Sequence, residues 1–368
     1  MQQPQADPAP TPPRLRVFAD RSHYRSEWRR WLSPILKPLW NDRSQAERIE
    51  VYGSRARCFE DAATVDDADF VALTMTWNHY LDRGRTAEAR TLAETAVSAG
   101  KRILVYAMGD FDAPVDLPGV IKLGPSLRRS RRGPHDHALP SIHGDLVEVY
   151  RDGKPSLRPW RPKPTVGFCG QAGGLTPRMA ASWIRNLGRY GRARWLRSGY
   201  EPPFLVPSSI LRGRVLDRLE SSDRVETRFL LRSAYWAGIS SFQDRSDPQH
   251  PARLEFIENL DASDYAVCIR GTGNFSRRFY EALCWGRIPV FVDTDCVLPY
   301  DGEVDWRRYC VWIDPGDRPN IAERVAEHHH RLGPEGFVEA QRDCRRLWRE
   351  RLSEDGFYEH LHGLLTVV

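Results

Sequence analysis

Residues 270–281, RGTGNFSRRFYE, set two glycines, three arginines and a carboxylate where an apolar segment gives way to helical spacing. The small residues from Gly271 to Gly273 leave backbone N–H groups accessible, and a helix opening near Ser276 adds its positive end, which together make an anion site. Arg277 and Arg278 fall in that helix's first turn, where positive charge is unfavourable by ~0.3–1 kcal/mol unless an anion is present. A diphosphate would remove the conflict, and functional sites are where such local violations are found. Glu281 is four residues after Arg277 and three after Arg278. Spacing alone leaves two roles open for it: half of a surface ion pair worth ~0.2–0.5 kcal/mol, or an acceptor for ribose hydroxyls beside the phosphates.

Other constellations are weaker. Asp293-Thr294-Asp295 is a spelling that can hold a divalent cation, yet it also reads as a polar loop whose first aspartate shapes the site. Asp110-Phe111-Asp112 is similar. His328, His329 and His330 are consecutive, so on a helix they point ~100° apart and cannot converge on one ion. A solvated helix face is the expectation. The run Arg128-Arg129-Ser130-Arg131-Arg132 reads as a solvated loop, with an acidic partner such as phospholipid head groups or a phosphorylated acceptor as the other reading. A G-x-S-x-G elbow, a P-loop lysine motif and a clear Ser/His/Asp order are missing.

The elements that must position these residues fall into two sections. A length of 368 residues suggests two domains at ~150 residues each. Strands are expected at 15–18, 69–76, 102–108 and 120–123, with a helix or pair of turns broken at Pro34 over 28–40 and a helix over 86–98. Residues 151–164 contain four prolines and no periodicity and read as the connection. Strands then recur at 165–169, 265–269, 288–292 and 309–313, with helices at 177–187, 208–219, 254–260 and 276–285. Three helical stretches follow from 321, interrupted at Gly333-Pro334 and Gly356. Strand–helix–strand order implies parallel sheets with right-handed crossovers.

Composition narrows the classes. Hydrophobic residues at 41% and charged ones at 28% describe a globular chain. Of 54 basic residues only five are lysines, so a lone arginine is weak evidence here, and nucleic acid is not an expected partner. Seven cysteines, an odd number without C-x-x-C, fit buried thiols in a reducing, cytoplasmic setting. No apolar run approaches the ~18 residues that span a bilayer. Residues 1–13 lack signal-peptide order and read as a disordered tail.

The stretch from Ser263 to Ile313 resembles the C-terminal part of the exostosin domain, the inverting glycosyltransferases of family 47. The resemblance rests on Ser263, Tyr265, Cys268, Arg270, Gly271 and Gly273, then on Ser276, Arg278, Phe279 and Glu281-Ala282-Leu283. Gly286, Ile288-Pro289-Val290, Val297-Leu298-Pro299-Tyr300 and Val304-Asp305-Trp306 complete it. Fainter echoes are Asp67-Ala68-Asp69-Phe70, Gly109-Asp110 and Phe168-Cys169-Gly170.

The resemblance implies a GT-B fold: α/β, two facing Rossmann-like domains with a C-terminal helical tail. The expected division is an acceptor domain over 14–155 and a nucleotide-sugar domain over 156–345, with a helix over 346–368 packing back on the first domain. Donor-site candidates are Gly170, Arg270, Gly271, Gly273, Ser276, Arg277, Arg278, Glu281 and Asp293. An inverting transfer needs a general base. Asp110, at the end of a buried strand, is the first choice, His79 the second and Asp20 the third. The expected activity is metal-independent inverting transfer from a nucleotide-sugar, a UDP-sugar first, to a glycan or lipid-linked glycan of cell-surface polysaccharide or lipopolysaccharide. No cofactor is expected, and the expected setting is the cytoplasm, with peripheral contact at the inner membrane allowed. The alternatives are a fucosyltransferase-like GT-B enzyme using GDP-fucose and a non-catalytic partner subunit of the same fold.

Overall fold

The computed structural model describes residues 14–173, 177–195, 199–232, 238 and 247–366; the tail 1–13, read as disordered, lies outside them. The architecture is α/β with two parallel sheets. The first contains β1 (Leu15–Phe18), β2 (Phe59–Asp61), β3 (Phe70–Ala72), β4 (Ile103–Tyr106), β5 (Val120–Gly124) and β6 (Asp136–Ala138), in the order β2-β1-β3-β4-β5-β6. The second contains β7 (Thr165–Gln171), β8 (Glu226–Arg232), β9 (Tyr265–Cys268), β10 (Ile288–Val292) and β11 (Val311–Ile313), in the order β11-β10-β9-β7-β8. Central strands β3, β4, β9 and β10 are buried along their whole length. That is why they read as unbroken apolar runs.

Three strands escape the sequence reading, and all three lie at sheet edges: β2 (FED), β6 (DHA) and β8 (ETRFLLR). An edge strand is covered on fewer sides, so its composition stays polar and periodicity does not report it. The helices Gln45–Tyr52 and Leu146–Arg151 were also not expected. Each is started by a cap: Ser44 with Glu47 forms a capping box, and Asp145 accepts from the N–H groups of Val147 and Glu148.

Contacts divide the chain into two compact units. One comprises residues 1–105, 117–120 and 358–368; the other comprises 106–116 and 121–357. In the first unit the last helix, Glu354–Thr366, sets Tyr358 and His362 edge-on and tilted against Phe59, while Ser54 donates to Glu359 at 2.7 Å. In the second unit the helix Ile321–Leu347 kinks at Gly333, where φ is 63°. The chain next breaks at Ser353, so Gly356 lies inside the last helix and does not interrupt it. A Cβ at Gly356 would meet the Glu350 carbonyl at 2.5 Å, so this glycine serves close packing.

Candidate functional site

The second unit carries the residues that could bind an anion, at the carboxyl ends of its strands. Gly170 is the next-to-last residue of β7, Arg270 follows β9, and Asp293 follows β10. Parallel sheets bind ligands at this edge.

Arg270 is the most informative side chain. It is 6% exposed, yet its guanidinium donates only to backbone carbonyls, those of Gly271 (3.0 Å) and Val206 (2.6 Å). Its Nε has no partner, and no carboxylate lies in ion-pair reach among the described residues. It stacks on Phe204 at 3.9 Å. Burial lowers its pKa to about 9, helped by the neighbouring positive charges of Arg212, Arg128 and Arg318. Arg287 is the contrast within the same unit. It is fully buried too, but it reaches the carbonyls of Leu260, Ser156 and Asp261 and the Asp261 carboxylate at 3.3 Å. A buried cation is costly unless paired. Arg287 has a carboxylate partner within the chain, and Arg270 has none among the described residues.

The loop beside it is built by close approach. A Cβ at Gly273 would meet Ser126 Oγ at 2.6 Å and the Asp110 Cα at 3.0 Å. With no side chain there, the Gly273 N–H donates to the Asp110 carboxylate. Gly271 is less confined, its nearest neighbour being an Arg212 nitrogen at 3.9 Å from a Cβ position, but its N–H is not left accessible as expected: it donates to the Phe275 carbonyl at 3.0 Å, closing the loop on itself. A recess lined by Asp110, Asp112, Ser126, Arg128, Phe204, Thr272 and Asn274 lies beside this loop. Asp110 is exposed to solvent, and partial enclosure of its carboxyl raises its pKa, opposed by the Gly273 N–H.

The helix Arg277–Trp285 is buried from Phe279 to Trp285 and is capped by Gly286 at φ 76°. Ser276 is its buried N-cap, but its side chain makes no capping bond. Arg278 is half-buried beside Phe168 and Phe256, with one nitrogen 2.8 Å from where a Gly170 Cβ would sit. No carboxylate is in ion-pair distance of Arg278 among the described residues. Arg277 is exposed and reaches Glu281 at 3.3 Å.

Of the two roles left open for Glu281, the surface pair does not hold. The residue is 4% exposed and pairs with Arg253 at 3.0 Å as well as with Arg277. Burial pushes its pKa up, but Arg253, Arg277, His143 and Arg278 outweigh that and hold it below the usual range. Arg253 is 28 residues away, so local spacing could not show that the pair is buried.

The acidic and basic loops meet each other. Arg129 pairs with the buried Asp293 at 2.8 Å, Ser130 bonds Asp295, Arg131 pairs with Glu201, and Arg132 with Asp301 at 2.8 Å. Arg128 donates to the Pro202 carbonyl and lies 4.2 Å over Phe204. Residues 129–132 stay exposed, as expected of a solvated loop, but the run is also held by ion pairs whose carboxylates lie far away in sequence and so could not be read from spacing. Among the described residues, no group of three or more His, Cys, Asp or Glu side chains is placed to hold a metal.

The triple histidine is also corrected. His328 and His329 are buried, with Nδ1 atoms 3.3 and 3.1 Å from the Tyr265 hydroxyl, and His329 stacks on Trp160. These two pack against β9 and are core, while His330 is exposed as expected.

His79 and Asp20 lie in the first unit. His79 is 2% exposed, neither ring nitrogen has a partner, and burial with nearby Arg83 and Arg85 lowers its pKa to about 4. Asp20 caps a short 3₁₀ turn by accepting from Ser22 N at 2.9 Å and stands 3.7 Å from His23. Arg212, Arg253, Arg318 and Phe204 were not singled out from sequence. In a chain with so many arginines their only signal is where the fold gathers them.

In this doubly parallel α/β chain, arginines without carboxylate partners lie at the carboxyl edge of one sheet, where such sheets take ligands. Residues 217–327 match the exostosin GT47 domain, a segment that includes Arg253, Arg270, Arg278, Glu281, Asp293 and Arg318 and leaves out Gly170 and Asp110. A Physcomitrium patens protein, "Probable glucuronosyltransferase 47 A", is 27% identical over 145 residues, 36% of this chain and 30% of that protein. Exostosin-1 of Drosophila melanogaster is 30% identical over 79 residues, 22% of this chain and 10% of that protein. The chain therefore matches less than a third of the length of either relative. Among solved structures, a glycosyltransferase from Rickettsia africae ESF-5 is similar over 96% of this chain and 98% of that one, at a TM-score of 0.37 and 7% identity. A likeness at that level adds nothing to the assignment.

Proposed function

We propose that this chain is an inverting, metal-independent glycosyltransferase that takes a sugar from a nucleoside diphosphate. The observation that carries this reading is Arg270, a buried guanidinium with three arginines near it and no carboxylate of its own. It lies inside the segment that matches the exostosin domain. In this reading Arg270 and Arg278, with the helix end at Ser276, hold the donor diphosphate, while the N–H groups of Gly271 and Gly273, given to the Phe275 carbonyl and the Asp110 carboxylate, shape the loop. Gly170 leaves room for the Arg278 guanidinium, and Glu281, Arg253 and Arg277 fix the adjoining helix. The acceptor oxygen bonds to the anomeric carbon as the carbon–phosphate oxygen bond breaks. Asp110 receives the hydroxyl proton, and the arginines take up the negative charge that develops on the leaving diphosphate.

Two further points support the details. The carboxylates of Asp293 and Asp295 are engaged by Arg129 and Ser130, which favours charge balance by arginines over a bound cation. All seven cysteines are free and buried, which suits a cytoplasmic enzyme. Among the described residues no helix is long and apolar enough to cross a membrane. The donor is read as a UDP-sugar and the acceptor as a glycan or lipid-linked glycan of the cell surface, reached at the inner membrane's cytoplasmic face.

The test is a thermal-shift series with UDP, GDP, UDP-sugars and GDP-fucose. A nucleotide at ~100 times its Kd adds ~2.7 kcal/mol of stability. A response to UDP supports the reading, and a response to GDP-fucose alone moves it to the fucosyltransferase-like alternative. If no nucleotide shifts the transition, the chain is not a transferase of this kind.

A further inference from the structure

The large apolar side chains left exposed are concentrated in one place. Of eleven among the described residues, five are Trp183, Ile184, Leu187, Leu205 and Val206, all in the second unit. The first three lie on the helix Pro177–Trp195, and Ile184 is 69% exposed. Trp183 Nε1 donates to the Leu205 carbonyl at 2.8 Å, which joins the helix face to the loop that carries the other two. A single exposed apolar residue needs no explanation, but a contiguous group marks a surface that something else covers. Packing within the unit does not supply that cover. A Cβ at Gly188 or Gly191, four and seven residues after Ile184, would meet nothing within 4 Å, so no described element lies against that stretch of helix.

The opposite face of the helix says what the cover is. Residues 177–195 include five arginines and no Asp or Glu, in a chain that has 49 acidic residues. A lone arginine is weak evidence in this composition; a helix of this length without a carboxylate is stronger. Trp183, Leu187 and Ile184 fall within an arc of ~100°, and Arg185, Arg189 and Arg192 within an arc of ~60° on the other side. These three arginines are exposed, and none has a carboxylate partner among the described residues. An apolar face of Trp, Ile and Leu backed by an arginine face is the pattern of a helix that lies in the plane of an anionic interface. A second copy of the chain fits less well. A two-fold contact would set the same carboxylate-free helix against itself and bring like charges together.

We infer that the helix Pro177–Trp195, with Leu205 and Val206, is a docking surface for an anionic phospholipid bilayer. Its apolar side chains enter the boundary between headgroups and acyl chains, and its arginines meet the lipid phosphates. The surface adjoins the candidate donor site, because the Val206 carbonyl accepts from Arg270 at 2.6 Å. For its purpose the inference rests on the reading of a lipid-linked acceptor, which docking of this kind would hold beside the donor. The binding itself requires no transfer.

The experiment is co-sedimentation of the full chain with vesicles of phosphatidylcholine alone and of phosphatidylcholine mixed equally with phosphatidylglycerol. The chain is expected to bind the mixed vesicles at least ten-fold tighter, with affinity falling as salt is raised. Arg185→Gln with Arg189→Gln and Arg192→Gln loses roughly a hundred-fold on the mixed vesicles, at about five-fold for each arginine near an anionic surface. Ile184→Ser with Leu187→Ser loses about ten-fold on the same vesicles and keeps the salt dependence. Both sets change exposed side chains, so Tm and UDP affinity stay as in the wild type. Equal binding to the two vesicles, binding to neither, or a preference that survives the arginine variant overturns the surface. So does full affinity in the serine variant. A dimer that the serine variant dissociates, without vesicle binding, makes the face a contact between copies instead. If vesicles bind as stated and no nucleotide does, the surface stands and the transferase reading fails; nucleotide binding without vesicle binding has the opposite meaning.

Discussion

At the residue scale the two informative groups are a cation without an anion and an anion with two cations. If Arg270 and Arg278 hold a diphosphate, removing a charge-assisted donor takes away ~2–4 kcal/mol of transition-state stabilisation. Arg278→Ala is thus expected to keep its Tm and lose roughly thirty- to a thousand-fold in kcat/KM, at ~1.4 kcal/mol per decade. Wild-type turnover in purified Arg278→Ala would remove it from the donor site. Glu281 behaves differently. Because it is buried against Arg253, Glu281→Gln leaves that guanidinium without its counter-charge, and breaking a buried pair costs ~3 kcal/mol. Since its folded pKa lies below the ordinary carboxylate value, the pair's contribution is present above that ordinary value and is lost as pH falls through the lower folded one. Melting curves of wild type and Glu281→Gln should therefore differ at pH 7 and converge in acid. Equal Tm values at pH 7 would return Glu281 to the role of an ordinary helix residue.

At the scale of elements, the loop between β9 and the helix Arg277–Trp285 is held by absence of side chain. Gly273→Ala places a methyl group 3.0 Å from the Asp110 Cα, a backbone atom that cannot rotate away. Overpacking of this kind costs ~1–3 kcal/mol. The variant is expected to melt lower and to lose both the Gly273–Asp110 hydrogen bond and nucleotide affinity; a crystal structure or titration showing an undisturbed loop would contradict this. The helix itself owes little to local propensity. Its burial from Phe279 onward means that packing on β9 and β10 holds it, which is why two arginines in its first turn are tolerated.

At the scale of the whole molecule, acid lability follows from buried histidines in both units. His79 and His328 have pKa values lowered to about 4, first by burial and then by nearby arginines. A histidine buried neutral is protonated more readily in the unfolded chain, so it contributes stability above the unfolded pKa of 6.5 and loses it as pH falls toward 4. Each then costs ~1.4 kcal/mol per pH unit. A Tm that falls steeply between pH 6.5 and 5 and is partly restored in His328→Phe is the expected record; a flat profile would show that these rings are not buried in solution. Turnover is expected to survive excess chelator. Loss with chelator, restored by manganese, would make Asp293 and Asp295 metal ligands.

The residues themselves determined the class of fold, because central parallel strands must be apolar on both faces and such runs are visible without a structure. The loop between β9 and the next helix was equally legible as a place, since glycines there are followed by a helix whose first-turn arginines conflict with the helix dipole. Edge strands β2, β6 and β8 were not legible, because partial exposure leaves no pattern in them. Nor was the fate of any single arginine. Which carboxylates Arg129 to Arg132 meet, whether Glu281 is a surface pair, and which of two buried arginines lacks a carboxylate are set by partners distant in the chain. Only tertiary structure separates Arg270 from Arg287, because charge compensation depends on distance in space and burial decides what its absence costs.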